Sequence, residues 1–253
     1  MTAADDRDRD KARARELMAE FLGRMSVWQP GDQATPAVDL LGMPPAALTV
    51  VNEVTGEGEV GIRLAGGSEV RIQETVFAGV WRVCRLDGEG RVVQDRIEGG
   101  AIPEVVLHTA RLGAHPALEV PELPDLPEGV MNGPALLHEI GAQMAAWRPG
   151  DPAHVINLTL LPLSAEDHAL LACALPQGPV SIMSRGFGNC RISSTTARNV
   201  WRVQYFNNLQ TLILDTIEVV DVPEVALAAP EDIADSRERL AELLDWMGEP
   251  IEA

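Results

Sequence analysis

The apolar residues of the chain follow two periods, and each change of period marks a new element. Leu17, Phe21 and Met25 recur at every fourth position and predict a helix over about 11–27. A strand is expected near Val38, and Pro44-Pro45 leads into a short helix, because a helix's first turn accommodates proline. From 60 to about 97 the pattern reads as a meander of short strands. Leu136, Leu137, Ile140, Met144 and Trp147 return to helical spacing and stop at Pro149-Gly150. Residues 155–160 then read as a strand. Ser164 stands three positions before Asp167, a capping-box-like start for a helix carrying Leu170 and Leu171, which Pro176 and Gly178 end. Four short strands follow at 180–183, 191–194, 200–206 and 212–219. A last helix begins near Pro230, with Glu231 and Asp232 in its first turn and Leu240, Leu243, Leu244 and Met247 along it.

This order occurs twice. Shifted by 120 positions, residues 58–107 fall on 178–227 without a gap, matching Gly58 with Gly178, Gly66 with Gly186, Arg71 with Arg191, and Trp81-Arg82-Val83 with Trp201-Arg202-Val203. Asp95 and Glu98 likewise fall on Asp215 and Glu218. With the offset reduced by one, 25–32 aligns with 144–151 through Met, Trp and Pro-Gly-Asp. The expected fold is α+β: an internally duplicated helix-strand-helix-β-meander unit, with antiparallel sheets and helices packed on one side. Its expected divisions are a flexible N-terminus at 1–10, a first repeat at 11–112, a linker at 113–133, and a second repeat with the terminal helix at 134–253. The linker is read from its prolines and glycines and its lack of periodicity.

Charge narrows the partners. The 253 residues include 38 acidic and 20 basic side chains, a formal net charge of -18 that repels nucleic acid and anionic membrane surfaces. The same field would attract basic peptide segments. Three separated cysteines, Cys84, Cys173 and Cys190, argue against a disulfide framework and fit a reducing compartment. The N-terminus mixes acid and base with no apolar core, so neither a signal peptide nor a membrane span is expected there, and the cytoplasm is the expected location. The five histidines and three cysteines show no zinc or iron-sulfur spacing, and Gly186-Phe187-Gly188 is followed by strand-like sequence instead of a phosphate-binding helix. No cofactor, metal or catalytic set is called.

The duplication separates shared packing from copy-specific chemistry. Trp81 and Trp201 are expected in the core, and the shared arginines and acids as cross-strand ion pairs. The second copy differs at Ser184, Arg185, Gly186, Phe187, Gly188, Asn189 and Cys190, where the first has Leu64-Ala65-Gly66-Gly67-Ser68-Glu69-Val70. It differs again at Arg198 and Asn199, and at Asn207 and Asn208 in place of Asp87 and Gly88. These residues, with Tyr205, form the candidate client-binding cluster. A hairpin turn alone also explains Asn207-Asn208. Cys190 is either an inert buried thiol or a nucleophile or soft ligand whose pKa Arg185 and Arg191 lower. No histidine lies in the motif, and neither His138 nor His154 is expected to fold beside Cys190.

Together, the run 154–163, the motif 184–192, Asn199-Val200-Trp201 and Gln204-Tyr205-Phe206-Asn207 closely resemble the HupH/HyaF family of hydrogenase expression/formation proteins. The resemblance is strongest over 136–244. It implies an accessory protein or chaperone, not an enzyme, for maturation of a nickel-iron uptake hydrogenase, binding the small iron-sulfur subunit or its precursor alongside other maturation proteins. Two alternatives accompany this expectation. One is a thiol-based redox or transient metal or cluster carrier using Cys190; the other is an obligate structural subunit with a homodimer interface formed by the meanders.

Overall fold

The computed structural model describes residues 3–29, 32, 34–120, 126–186 and 188–248. Helices mix with antiparallel strands, and the chain divides into two compact units, Met1–Pro103 with Leu227–Ala253, and Glu104–Ala226. The terminal helix, expected with the second repeat, therefore belongs to the unit that contains the N-terminal helix.

In the first unit, helix α1 (Ala3–Val27) starts eight residues before its apolar stripe requires. Its first turns are polar and carry an Arg9–Asp6 ion pair of 2.8 Å one helical turn apart. Strand β1 (Ala37–Asp39) and helix α2 (Pro45–Thr55) follow, then β2 (Val60–Leu64), β3 (Glu69–Glu74), β4 (Val80–Leu86) and β5 (Val92–Gly99). They form a sheet in the order β1-β5-β4-β3-β2. Helix α6 (Pro230–Gly248) lies along α1. Phe21, Met18 and Met25 of α1 meet Leu240, Leu244 and Met247 of α6 over Val80 and Ile97, all buried. Each large apolar side chain so buried contributes on the order of 1.5–3 kcal/mol, and Arg15 Nε donates to Leu244 O at 2.7 Å across the pair.

The second unit opens with helix α3 (Glu104–Arg111), which the periodicity did not reveal, although its acidic first turn and basic last turn suit the helix dipole. Helix α4 (Gly133–Ala146), strand β6 (His154–Asn157) and helix α5 (Ala165–Ala174) precede strands β7 (Gln177–Ser184), β8 (Asn189–Thr195), β9 (Val200–Phe206) and β10 (Leu212–Val219). The expected strand 155–160 is shorter than anticipated: after Asn157 the chain tightens into a 3-10 turn, Leu158–Leu160, capped by the Asn157 side chain. The sheet order is β7-β8-β9-β10-β6. Leu137, Ile140 and Leu171 from α4 and α5 pack over Ile156, Val200, Ile217 and Val219. Within the stretch anticipated as a linker, Leu118 and Val120 pack against this core, and His115 N donates to Thr196 O at 2.8 Å.

Asp167 holds the two helices of this layer together. Its side chain completes the capping box of α5, with Ser164 N donating to Oδ2 at 3.0 Å and Asp167 N donating to Ser164 Oγ at 3.0 Å. Oδ1 accepts from Met131 N at 2.8 Å, Asn132 N at 3.0 Å and Gly133 N at 2.8 Å, the donors at the start of α4. Burial alone would raise its pKa, but these four donors outweigh burial and hold the carboxyl well below the ordinary range. A carbon on Gly133 would come within 3.1 Å of Oδ1, a tight approach that would make Asp167 shift by a few tenths of an ångström. At Gly178, matched with Gly58, glycine is needed: a side chain would come within 2.6 Å of Thr195 O.

Replacing Asp167 with alanine should cost about 2–4 kcal/mol by chemical denaturation at pH 7, because it strands buried N–H groups. The depressed folded-state pKa means that this stabilisation is present above about pH 4, near the unfolded value, and is lost as pH falls toward the folded one. Asp167→Asn should therefore flatten the acid limb of the stability curve between about pH 4 and 2; an unchanged limb would contradict this role.

Candidate functional site

Consecutive antiparallel strands place alternate turns at opposite ends of a sheet, and this divides the candidate cluster. The β7–β8 turn carries Arg185, Gly186 and Gly188 and lies at the same end as the β9–β10 turn with Asn207 and Asn208. Ser184, Asn189, Cys190 and Tyr205 flank these turns. Arg198 and Asn199 lie in the β8–β9 turn, at the other end of a seven-residue strand, roughly 20 Å away. Phe187 lies outside the described residues.

The remote pair has a local role. Arg198 is exposed, and its N–H donates to His115 O at 2.9 Å. Asn199 has φ +60°, the left-handed region, and its carbonyl accepts from Val220 N at 2.8 Å. Gly79, 120 positions earlier, has φ +74°. Asparagine tolerates this backbone conformation better than most side chains, so Asn199 shapes the turn.

At the near end, register sets direction. Ser184 pairs with Cys190, and Cys190 with Tyr205, so these three share one face. Cys190 is 0% exposed. Burial pushes its thiol up to about 11, a hydrogen bond from the Tyr205 hydroxyl opposes the rise, and the Glu218 carboxylate reinforces it. Burial, together with Cys190, pushes the Tyr205 hydroxyl up to about 12. The expectation that Arg185 and Arg191 lower the thiol pKa is therefore corrected. Arg191 occupies the next position along β8, so its side chain leaves by the opposite face, and Arg185 is in solvent. His154 pairs with Val219 at the far end of β10 and contacts Glu139 at 2.8 Å, while His138 is exposed on α4.

The opposite face at this end presents Arg191, Asn189, Phe206, Met183 and Leu212 at adjacent register positions. The Arg191 guanidinium lies 4.5 Å over the Phe206 ring and donates to Gln210 Oε1 at 3.1 Å. Asn207 closes the neighbouring turn: its Oδ1 accepts from Leu209 N and Thr211 N, both at 2.9 Å. Asn208 and Leu209 project from the tip, exposed. Gly188 has φ +95° and open space around it, as a tight turn requires. The candidate cluster leaves out Arg191 and Phe206, although both lie within the stretches 184–191 and 200–208 that carry it. Strand parity would have separated them from Cys190, because positions 190 and 191 must face opposite ways. Among the described residues, no group of three or more His, Cys, Asp or Glu side chains is placed to hold a metal ion, and no helix is long and apolar enough to cross a membrane.

This end of the sheet presents an exposed surface, with the Cys190 thiol buried behind it. The chain belongs to the family described as HupH hydrogenase expression protein, C-terminal conserved region, which it matches over residues 12–114 and 130–247. It is 49% identical over 217 residues to the hydrogenase expression/formation protein HoxQ of Cupriavidus necator, covering 85% of this chain and 75% of that protein. It is 40% identical to HupH of Rhizobium leguminosarum bv. viciae over 96% of this chain and 85% of that protein. The hydrogenase-1 operon protein HyaF of Escherichia coli is 37% identical over 92% of this chain and 81% of its own length. A solved hydrogenase expression protein HupH from Thiobacillus denitrificans superposes with a TM-score of 0.42 and 28% identity, over 45% of this chain and 95% of that one. HoxQ and HupH are named for hydrogenase expression and formation, and HyaF for the hydrogenase-1 operon.

Two outcomes follow from the geometry. A thiol reagent at pH 8 should label exposed Cys173 within the dead time of native protein, while Cys190 reacts only after unfolding; fast labelling of Cys190 would contradict its burial. Asn199→Gly should leave the melting temperature within a few degrees, whereas Asn199→Val should cost about 1–2 kcal/mol, because a β-branched residue strains the left-handed turn.

Proposed function

We propose that this protein is an accessory factor in the maturation of a nickel-iron uptake hydrogenase. In this role it holds a hydrogenase subunit, the small iron-sulfur subunit or its precursor, before assembly. Membership of a hydrogenase expression family carries the reading. The exposed end of the second unit's strands, formed by residues 183–186, 188–191 and 205–213, supplies the client-binding surface, with Arg185, Asn189, Asn207 and Asn208 among its polar contacts. Arg198 and Asn199 contribute the fold of their own turn instead. The protein acts in the cytoplasm, where a subunit precursor and other maturation factors would be met.

The two units are copies of one ancestral unit. Matching elements support this: each unit contributes five strands, and each has an arginine forking a buried aspartate, Arg82 on Asp95 and Arg202 on Asp215. The two family-matched segments, 12–114 and 130–247, have similar extent. A thiol or cluster carrier at Cys190 would need an accessible thiolate, and burial of the thiol with a pKa near 11 argues against it.

An affinity pulldown from hydrogenase-producing cells tests the proposal. Wild type and Cys190→Ser should recover the small-subunit precursor and restore hydrogenase activity to a deletion strain, while Arg185→Ala combined with Asn189→Ala should lower both several-fold. Recovery of another subunit would overturn the client assignment. Loss of maturation in Cys190→Ser with binding intact would favour thiol chemistry.

A further inference from the structure

The charge of the second unit is unevenly distributed. In a protein with 38 acidic side chains, residues 168–214 contain no aspartate or glutamate but four arginines: Arg185, Arg191, Arg198 and Arg202. Arg202 is neutralised by Asp215, at 2.9 and 2.6 Å. Arg198 lies at the far end of the sheet. Arg185 and Arg191 remain at the near end, beside exposed apolar side chains: Leu209 is 85% exposed, Ile213 56%, Leu212 43% and Met183 39%.

The first unit provides a control. Arg71, 120 positions before Arg191, is held by Glu69 at 2.8 and 3.2 Å. The residue 120 positions after Glu69 is Asn189, which carries no charge. Leu86 is likewise replaced by Phe206, and the guanidinium lies against that ring. Cation-π stacking holds the guanidinium plane without neutralising it, so N–H groups at its edge stay available for a carboxylate.

We propose that this end of the second sheet docks an acidic amphipathic segment, one whose carboxylates pair with Arg191 and Arg185 while its apolar side chains cover Met183, Phe206, Leu209 and Leu212. Charge complementarity selects this occupant: a basic segment would meet two guanidiniums that have no ion-pair partner among the described residues, and no carboxylate from 168–214. The surface is the client-binding surface of the preceding section, and the inference rests on that reading for its biological client. It adds the sign of the charge recognised, opposite to what the net charge of -18 suggests. Guanidinium-carboxylate pairs at an exposed rim set specificity and salt dependence, and apolar contact supplies affinity.

The test uses the purified full-length chain and fluorescein-labelled dodecapeptides, with binding read by anisotropy. One peptide alternates leucine and glutamate, a second leucine and lysine, and a third serine and glutamate. The leucine-glutamate peptide should bind best and weaken with added salt. Arg191→Glu should lower its affinity at least tenfold, Arg191→Gln and Phe206→Ala should lower it less, and Arg71→Glu should leave it unchanged. Matched melting curves show that the variants fold. Equal or tighter binding of the leucine-lysine peptide, or unchanged affinity in folded Arg191→Glu, overturns the proposal. A wild-type dimer by light scattering that Arg191→Glu converts to monomer also overturns it, because the occupant is then a second copy. Peptide binding is measured without cells or hydrogenase, so its failure is distinguishable from failure of the maturation reading.

Discussion

The register of β9 determines what the second unit can present, and a forked ion pair within the sheet supports that register. Asp215 is 4% exposed, and burying a carboxylate is costly unless it is paired and hydrogen-bonded. Arg202 reaches diagonally across from β9 to meet both oxygens, and Thr159 Oγ1 accepts from Asp215 N at 2.8 Å. A slip of β9 by one residue would break the fork and exchange the faces of Tyr205 and Phe206. The Tyr205 hydroxyl would then leave Cys190, and the Phe206 ring would leave Arg191. Arg82 and Asp95 make the same fork in the first unit, at 2.9 and 2.7 Å.

With this constraint met, the chemistry of the second unit follows from its turns. On the face with Cys190 and Ser184 both of these side chains are buried, and burial raises the pKa of the Cys190 thiol and of the Tyr205 hydroxyl. The other face is covered by α4 and α5 toward the β8–β9 turn, around Val200, Ile217 and Val219. Toward the β7–β8 and β9–β10 turns it stays open, which leaves Phe206 and Arg191 available. A protein that assists assembly must release its client, and an exposed patch of modest size with charged margins suits reversible binding.

Much of the fold was legible because amphipathic periods are strong local signals: the stripes of α1, α4 and α6 and all four strands β7 to β10 follow from them. The capping box at Ser164 and Asp167 could also be read directly. That the same carboxylate anchors the start of α4 could not, since the donors from Met131, Asn132 and Gly133 come from more than thirty residues away. Helix α3 escaped notice because eight residues give too short a periodicity. The candidate cluster, defined by differences between the two copies, joins Arg198 and Asn199 to residues a strand length away, and adjacency in sequence sets Arg191 beside Cys190, whose face it does not share. Strand parity and the alternation of hairpin ends carry the missing information.

Hydrogen-deuterium exchange on the protein with and without its hydrogenase client tests the central claim most directly. Protection confined to peptides spanning 183–191 and 205–213, with 196–199 unchanged, is the result this account predicts. Protection centred on 196–199, or on the first unit with 183–213 unaffected, would contradict it.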